Sequence, residues 1–363
     1  MAKEKHPEVA ALLRGRIADG EFSPGERLPS RTELVDQFQV SSATLQRAVD
    51  SLAEEGFVEG RGRHGTVVAE HPPHLSHYGV LFAEAAKPER PWLRSWQAIA
   101  EAAREILDQG SSRLSFFYVG DLQRSMASYQ AFLDDVAAHR LAGLIVPGVP
   151  VPHLADLIEG SGGRLPIVAY ACGPVLEGVA TTRLSRDYSR IMVDYLAVKG
   201  RRNIGLVESA SWFRKAGNDV VFADILAEYG MRSESRWQQL EVADTPRAMR
   251  NVAEILATDP NGPDALILRD DNAVQEVIDG IEAAGKRIGD DIELVVWGNF
   301  PWHEEYSAPV KRFGVDMWQF VRRAKRYIDA HRRGENPEPV IKLDTLEDDV
   351  NAVRKIEEKG VVS

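Results

Sequence analysis

Ser42, Gln46 and Arg47, with Thr44 beside them, lie opposite the apolar set Leu45, Ala48, Val49 and Leu52. That set has the i, i+3, i+4, i+7 spacing of a buried helical face. A glutamine on the exposed side can bond bidentately to an adenine edge, and serine and threonine hydroxyls reach phosphates or either base type. Ser41 stands just ahead of this helix, and Arg31 opens the one before it. Further on, Arg61, Arg63 and His64 sit among Gly60, Gly62 and Gly65, and basic side chains between glycines suit a loop laid along a minor groove. Types and spacing together are those of duplex recognition. The candidate DNA contacts are Arg31, Ser41, Ser42, Thr44, Gln46, Arg47, Arg61, Arg63 and His64.

Catalytic groupings are not apparent. The chain has no Walker-type phosphate loop, no Gly-x-Ser-x-Gly elbow and no cysteine cluster, and His303-Glu304-Glu305 lacks the second histidine of a zinc-protease helix. His71, His74 and His77 alternate with Pro72 and Pro73, which deny them the helical spacing that would gather a metal. The reading is of a protein that is not an enzyme and takes no cofactor or metal.

The elements that must carry the DNA contacts follow from local signals. Val9, Leu12, Leu13 and Ile17 predict a first helix, ended by Gly20. Ser30-Arg31-Thr32-Glu33 is a capping box opening a second helix, with Leu34, Val35 and Phe38 inward. Gln39-Val40-Ser41 turns the chain into the third, which Gly56 stops, and strands over residues 57–59 and 66–68 flank the glycine-rich loop. Three helices and a hairpin make a winged helix-turn-helix, an α+β unit over residues 1–69. Residues 70–77 read as an extended, semi-rigid linker, because paired prolines stiffen a chain.

From residue 78 to 363 the rhythm changes. Short apolar runs at 78–82, 113–118, 143–146, 167–170, 203–207, 237–242, 265–268 and 293–297 alternate with helical stretches such as 96–108, 188–198, 220–229 and 273–284. Strand–helix alternation with near-continuous apolar strands implies α/β architecture with parallel sheets covered on both faces. That length exceeds one comfortable doubly wound domain, so two lobes are expected.

Composition bounds the rest. With 363 residues, 44% hydrophobic and 27% charged, the chain is a multidomain globular protein rather than a disordered one. Its formal charge of −11 opposes bulk attraction to nucleic acid, and residues 1–70 carry nine Lys/Arg against twelve Asp/Glu, so phosphate contacts must be local. The single Cys172 fits a reducing compartment. No apolar run has signal-peptide or membrane-spanning length, so a cytoplasmic protein without membrane contact is expected.

The N-terminal block resembles the GntR family of winged-helix regulators. The resemblance rests on Leu28-Pro29-Ser30 after Pro24-Gly25-Glu26-Arg27, on Val40-Ser41 and Thr44, and on the wing Arg61-Gly62-Arg63-His64-Gly65-Thr66. It covers nearly all of residues 7–69. Where the family places arginines near the start and first exposed turn of the recognition helix, this chain has Ser42 and Gln46.

Residues 78–345 resemble, more loosely, the effector domain of the LacI/GalR family, which shares the two-lobed periplasmic-binding-protein-like fold. The carrying residues are Lys199-Gly200-Arg201-Arg202-Asn203-Ile204-Gly205-Leu206, Leu268-Arg269-Asp270-Asp271-Asn272-Ala273 and Val295-Val296-Trp297-Gly298-Asn299. The departures are Asn218 where the family commonly has a sugar-clamping arginine, Arg269 where an asparagine often precedes the aspartate, and Gly298-Asn299 where an aspartate usually follows the aromatic.

The combination implies a homodimeric transcriptional regulator, a repressor by the commoner logic. It would bind double-stranded operator DNA under control of a small sugar-like effector held between the lobes. Loops after strands supply the candidate effector contacts: Glu84, Tyr170, Arg214, Asn218, Arg269, Asp270, Asn299 and Phe300, with Arg94 and Trp96 at the first helix of the lobes. Arg269 should be paired with Asp270 or Glu84, or await an acidic ligand group. The alternatives are a DNA-binding regulator whose effector pocket has degenerated, and a non-regulatory cytoplasmic solute-binding protein.

Overall fold

The computed structural model describes residues 5–83, 93–118, 126–147, 151–170, 177–208, 218–240, 246–301 and 305–347. The chain packs as two compact units. One holds residues 1–85, 100–182 and 321–341, the other residues 86–99, 183–320 and 342–363.

The first unit opens with α1 (His6–Ala18), α2 (Arg31–Phe38), α3 (Ser42–Glu54), β1 (Val58–Gly60) and β2 (Thr66–Val68). Both expected helix starts are built as their sequences ask. Ser30 Oγ accepts from Glu33 N at 3.3 Å while the Glu33 carboxylate accepts from Ser30 N at 2.7 Å, and Ser41 Oγ accepts from Thr44 N at 3.1 Å. Between them Gln39 takes a left-handed φ of 52°, with its amide donating to Asp36 O at 2.6 Å. Leu13, Ile17, Leu34, Leu45, Ala48, Leu52 and Phe57 close the core under the three helices. The hairpin pairs Val58 with Val68 and Gly60 with Thr66. It gains a third short segment, since Arg27 bridges Val67, Leu28 N donates to Thr66 O and Val68 N donates to Glu26 O.

The expected extended linker is different in kind. Pro73–Ser76 forms one helical turn, α4, and Pro72, Pro73, His74 and Ser76 are buried. Proline's fixed φ suits the first turn of a helix. The prolines therefore start a compact turn, capped inward by the Ser76 hydroxyl on the His71 and Pro72 carbonyls. His74 stacks on Phe57 with centroids 5.8 Å apart and planes 3° from parallel. His77 bonds Arg140 O at 3.0 Å and Ser115 Oγ at 2.8 Å through its two ring nitrogens.

The chain continues through β3 (His77–Phe82), α5 (Arg94–Leu107), β4 (Arg113–Tyr118), α6 (Met126–Ala137), β5 (Gly143–Val146), α7 (Val151–Gly160), β6 (Ile167–Ala169) and β7 (Val179–Leu184). Next come α8 (Tyr188–Val198), β8 (Ile204–Glu208), α9 (Asn218–Glu228), β9 (Gln238–Leu240), α10 (Pro246–Thr258), β10 (Ala265–Leu268), α11 (Val274–Ala283), β11 (Glu293–Phe300) and β12 (Lys311–Asp316). The last elements are α12 (Met317–Arg332), β13 (Val340–Leu343) and β14 (Thr345–Glu347).

Two six-stranded sheets result, ordered β4-β3-β5-β6-β7-β13 and β14-β12-β11-β10-β8-β9. The pairs β3–β4, β3–β5, β5–β6 and β6–β7 are parallel, as are β8–β9, β8–β10, β10–β11 and β11–β12, while β14 runs antiparallel to β12. Alternation along β10 explains its unbroken apolar run. Leu266 and Leu268 join a core with Val277 and Ile281 of α11, whereas Ala265 and Ile267 join one with Ile191 of α8 and Phe222 of α9.

Candidate functional site

The head presents its expected contacts on a continuous face. A cleft of about 440 Å³ runs between the start of α2, the recognition helix α3 and the wing, and Arg31 and Gln46 line it. Ser42 and Arg47 are exposed on α3. Ser41 and Thr44 are more tightly engaged. Ser41 is the N-cap, and its hydroxyl and that of Thr44 lie 2.9 Å apart, so both are committed to the helix start. Gln46 Nε2 donates to Asp50 Oδ1 at 2.6 Å, which fixes the amide's orientation one turn from the cap.

The wing's two arginines part company. Arg61 Nη2 lies 3.1 Å from Glu70 and 3.6 Å from Glu59, so carboxylates of the head already offset its charge. Arg63 is exposed at the tip, in a 3-10 turn spanning Gly62–His64, and forms no ion pair among the described residues. The His64 side chain lies outside the described residues.

One cation that pattern reading left out joins this face. Arg27 lines the same cleft, and its guanidinium packs so close to Gly65 that a Cβ there would sit 3.1 Å from Arg27 Nε. Gly65 also has φ +80°, so glycine is required twice over.

The opposite end of the recognition helix is tied to the rest of the first unit. Glu55, the C-cap of α3, accepts from Arg14 Nε and Nη2 at 2.8 Å each and from Arg140 Nη2 at 2.9 Å. Arg140 also donates to Asp135 at 2.8 Å, and its carbonyl holds His77. One carboxylate thus joins α1, the recognition helix and the segment entering β5.

In the second unit polar residues gather at the carboxyl ends of four adjacent parallel strands, where open α/β sheets present ligands. Glu208 ends β8, Arg269 follows β10, Asn299 and Phe300 end β11, and Asp316 ends β12. Among the described residues the carboxylate that meets Arg269 is not Asp270, and Glu84 lies outside them. That carboxylate is Glu208, with Nε to Oε2 2.9 Å and both side chains 3% exposed or less. The reason is topological, because β8 and β10 are hydrogen-bonded neighbours that align Leu268 with Val207 and so bring the next residues together. Arg269 Nη1 donates to Tyr188 OH at 2.6 Å, and the guanidinium sits over the Tyr188 and Phe222 rings at 4.8 and 5.2 Å. Asp270 instead accepts from Asn272 N at 3.1 Å, turning the loop.

Asp271 is the second centre. It accepts from Asn299 N at 2.9 Å and Asn299 Nδ2 at 2.8 Å. Burial pushes its carboxyl above the ordinary range, against the pull of those bonds and of Arg94 and Arg312. Arg94 N donates to Asn272 Oδ1 at 2.9 Å. The Arg312 guanidinium lies 4.9 Å from the centre of the Phe300 ring. A Cβ at Gly298 would make ordinary contact with Asp271 and Arg312 at 3.4 to 3.5 Å, so the strand runs directly beside both groups.

Arg94, Arg269, Asp270, Asn299 and Phe300 therefore lie along one sheet end. Trp96 is half-buried on α5, and Tyr170 follows β6 in the other unit, with its nitrogen donating to Val146 O. Glu84 and Arg214 lie outside the described residues, as does the side chain of Asn218, the first residue of α9. Sequence reading missed Glu208, Asp271 and Arg312 as partners. Asp271 was visible beside Asp270, but Glu208 and Arg312 sit within strands and only sheet order brings them in.

The pattern of the bacterial regulatory proteins of the gntR family matches residues 5–68, and that of the periplasmic binding protein-like domain matches residues 193–345. The mannosyl-D-glycerate transport/metabolism system repressor MngR of Escherichia coli is 35% identical over 68 residues, 19% of this chain and 28% of that protein. The matched segments span between 16% and 38% of curated relatives of this kind. Among solved structures, a LacI family transcriptional regulator from Bifidobacterium animalis superposes with a TM-score of 0.60 at 17% identity, covering 76% of this chain and 96% of that one. A LacI family regulator from Arthrobacter, solved as a complex with lactose, gives 0.57 at 19% identity over 75% and 97%. No helix among the described residues is long and apolar enough to cross a membrane.

Proposed function

For a chain that carries a GntR-type helix-turn-helix domain ahead of a periplasmic-binding-protein-like domain with the LacI-regulator fold, we propose a dimeric transcriptional repressor whose operator affinity is set by a small sugar-type ligand. The observation that carries the DNA half is the surface of the head. A capped recognition helix presents Ser42, Gln46 and Arg47 beside a wing whose Arg63 is unpaired among the described residues. With so few free cations, one head holds a half-site weakly, and two linked heads gain from effective concentration. Sedimentation of the whole chain should give a dimer at micromolar concentration; a monomer there counts against the reading.

The ligand half rests on the sheet end of the second unit. Arg269 is already neutralised by Glu208, so it can offer donors to hydroxyls without needing an anionic ligand. That favours a neutral polyhydroxylated molecule over a sugar acid, and the lactose held by the Arthrobacter relative is of that class. A second reading draws on Asn299, whose amide is spent on Asp271, and on Arg269 itself, spent on Glu208 and Tyr188. In it the regulator persists while the pocket takes no ligand. Thermal shift across a sugar panel separates the two, since a specific ligand at ~100 times its Kd adds ~2.7 kcal/mol.

Titration of an operator fragment tests the roles on the head. Gln46→Ala should cost ~1–3 kcal/mol on the operator and little on random duplex. Arg63→Ala should weaken both and flatten the salt dependence by about one unit of slope. Equal losses by both variants on both duplexes would refute the division between base reader and backbone contact.

A further inference from the structure

The first unit contains a cleft of about 410 Å³, bounded by the α1–α2 loop on the head side and by His139, Arg164 and the end of α12 on the other. Its charge is unbalanced. Arg332 spends its guanidinium on two carbonyls, Nε to Ala142 O at 2.6 Å and Nη2 to Leu141 O at 2.9 Å, and forms no ion pair among the described residues. Desolvation without a counter-ion holds its pKa down, at about 10. Arg164 stands at the rim, 3.6 Å from Asp19, with both side chains about half exposed. One carboxylate therefore faces two guanidiniums. His74 also lines the cleft, 4% exposed, with Nδ1 buried and unbonded.

A partly buried cation without a counter-ion is costly, and an unbonded buried imidazole nitrogen is a polar atom without a partner. We propose that this cleft is a second ligand site, which takes a small oxyanion such as the phosphate, sulfate or carboxylate group of a metabolite between Arg164 and Arg332. The site touches the head through Asp19 and the first sheet's layer through His139 and Arg332, so an occupant ties the two together. It stands apart from the sugar-type ligand, whose paired candidates lie in the other unit.

The histidines report on the same field. Burial and the cations hold His74 down at about 3, and lower His139 and His331 below the ordinary histidine range. Arg332 and His139 act on His74, while Arg164, Arg332 and Arg14 act on His139, opposed by Asp19. His331 feels Arg332. An anion in the cleft reverses that field and favours protonated imidazoles.

Calorimetric titration of the whole chain with sulfate, against chloride at equal ionic strength, is the test, because sulfate does not titrate between pH 6 and 8. Saturable sulfate binding is expected, tighter at pH 6 than at pH 8, weakened at least tenfold by Arg164→Ala and further by Arg332→Gln. Arg164→Ala changes a half-exposed residue and keeps the test open if Arg332→Gln fails to fold. Heats no different from chloride, unchanged affinity in Arg164→Ala, or an equal loss in the distant exposed Arg287→Ala, would each overturn the proposal.

Discussion

Glu208→Ala is expected to destabilise the second unit by about 3–5 kcal/mol, among the largest effects of any single change in this chain. The carboxylate lies 2.9 Å from an arginine whose side chain is 2% exposed, and is its counter-ion among the described residues. Removing it strands a charge among Tyr188, Phe222 and the β10 core, where water cannot reach to replace it. Replacing both partners by apolar residues, as Glu208→Leu with Arg269→Met, should cost far less than the single change, because the desolvation penalty leaves with the charges. Urea unfolding followed by the fluorescence of Trp237 and Trp297, both in this unit, measures it. A loss under about 1 kcal/mol for the single variant would show that water or another group compensates Arg269.

His74 should make the head acid-sensitive. Its pKa is about 3 in the folded chain, against an ordinary 6.5, because burial disfavours the imidazolium. A folded pKa below the unfolded one gives stability that is complete above pH 6.5 and is lost as pH falls towards 3. In that window the unfolded chain binds the extra proton, so stability drops by about 1.4 kcal/mol per pH unit from this group alone. His74→Phe keeps an aromatic ring stacked on Phe57 and removes the titration. The difference between wild type and variant, read from urea midpoints at pH 7, 6, 5 and 4, cancels the carboxylates common to both. Parallel curves would place the acid sensitivity elsewhere.

What could be read from sequence was what local chemistry determines. The Ser30–Glu33 box and the buried face of α3 each need only a few neighbouring residues, and both are built as expected. The apolar strands of both sheets were equally plain. Strand β12 was not, since Lys311, Arg312 and Gly314 interrupt its apolar pattern, and β7 carries Thr181, Thr182 and Arg183. Arg312 looks like a surface cation until β11 is laid beside it and Asp271 comes near. Arg27 and Glu208 likewise acquire partners only through pairing with distant strands. The linker misled because paired prolines serve an exposed spacer and a buried first turn equally well; burial of His74 against Phe57 decides between them.

The shared carboxylate of Glu55 also bears on how such a protein could arise by recombination. A head exchanged at residue 69 would bring Glu55 and Arg14 with it but leave Arg140 behind. The transplanted domain would keep its own arginine on the acid, yet the end of its recognition helix would have lost the ion pair that fastens it to the segment entering β5. A fusion that is to keep that fastening needs a cation at the Arg140 position of its new host, a residue far outside the grafted segment.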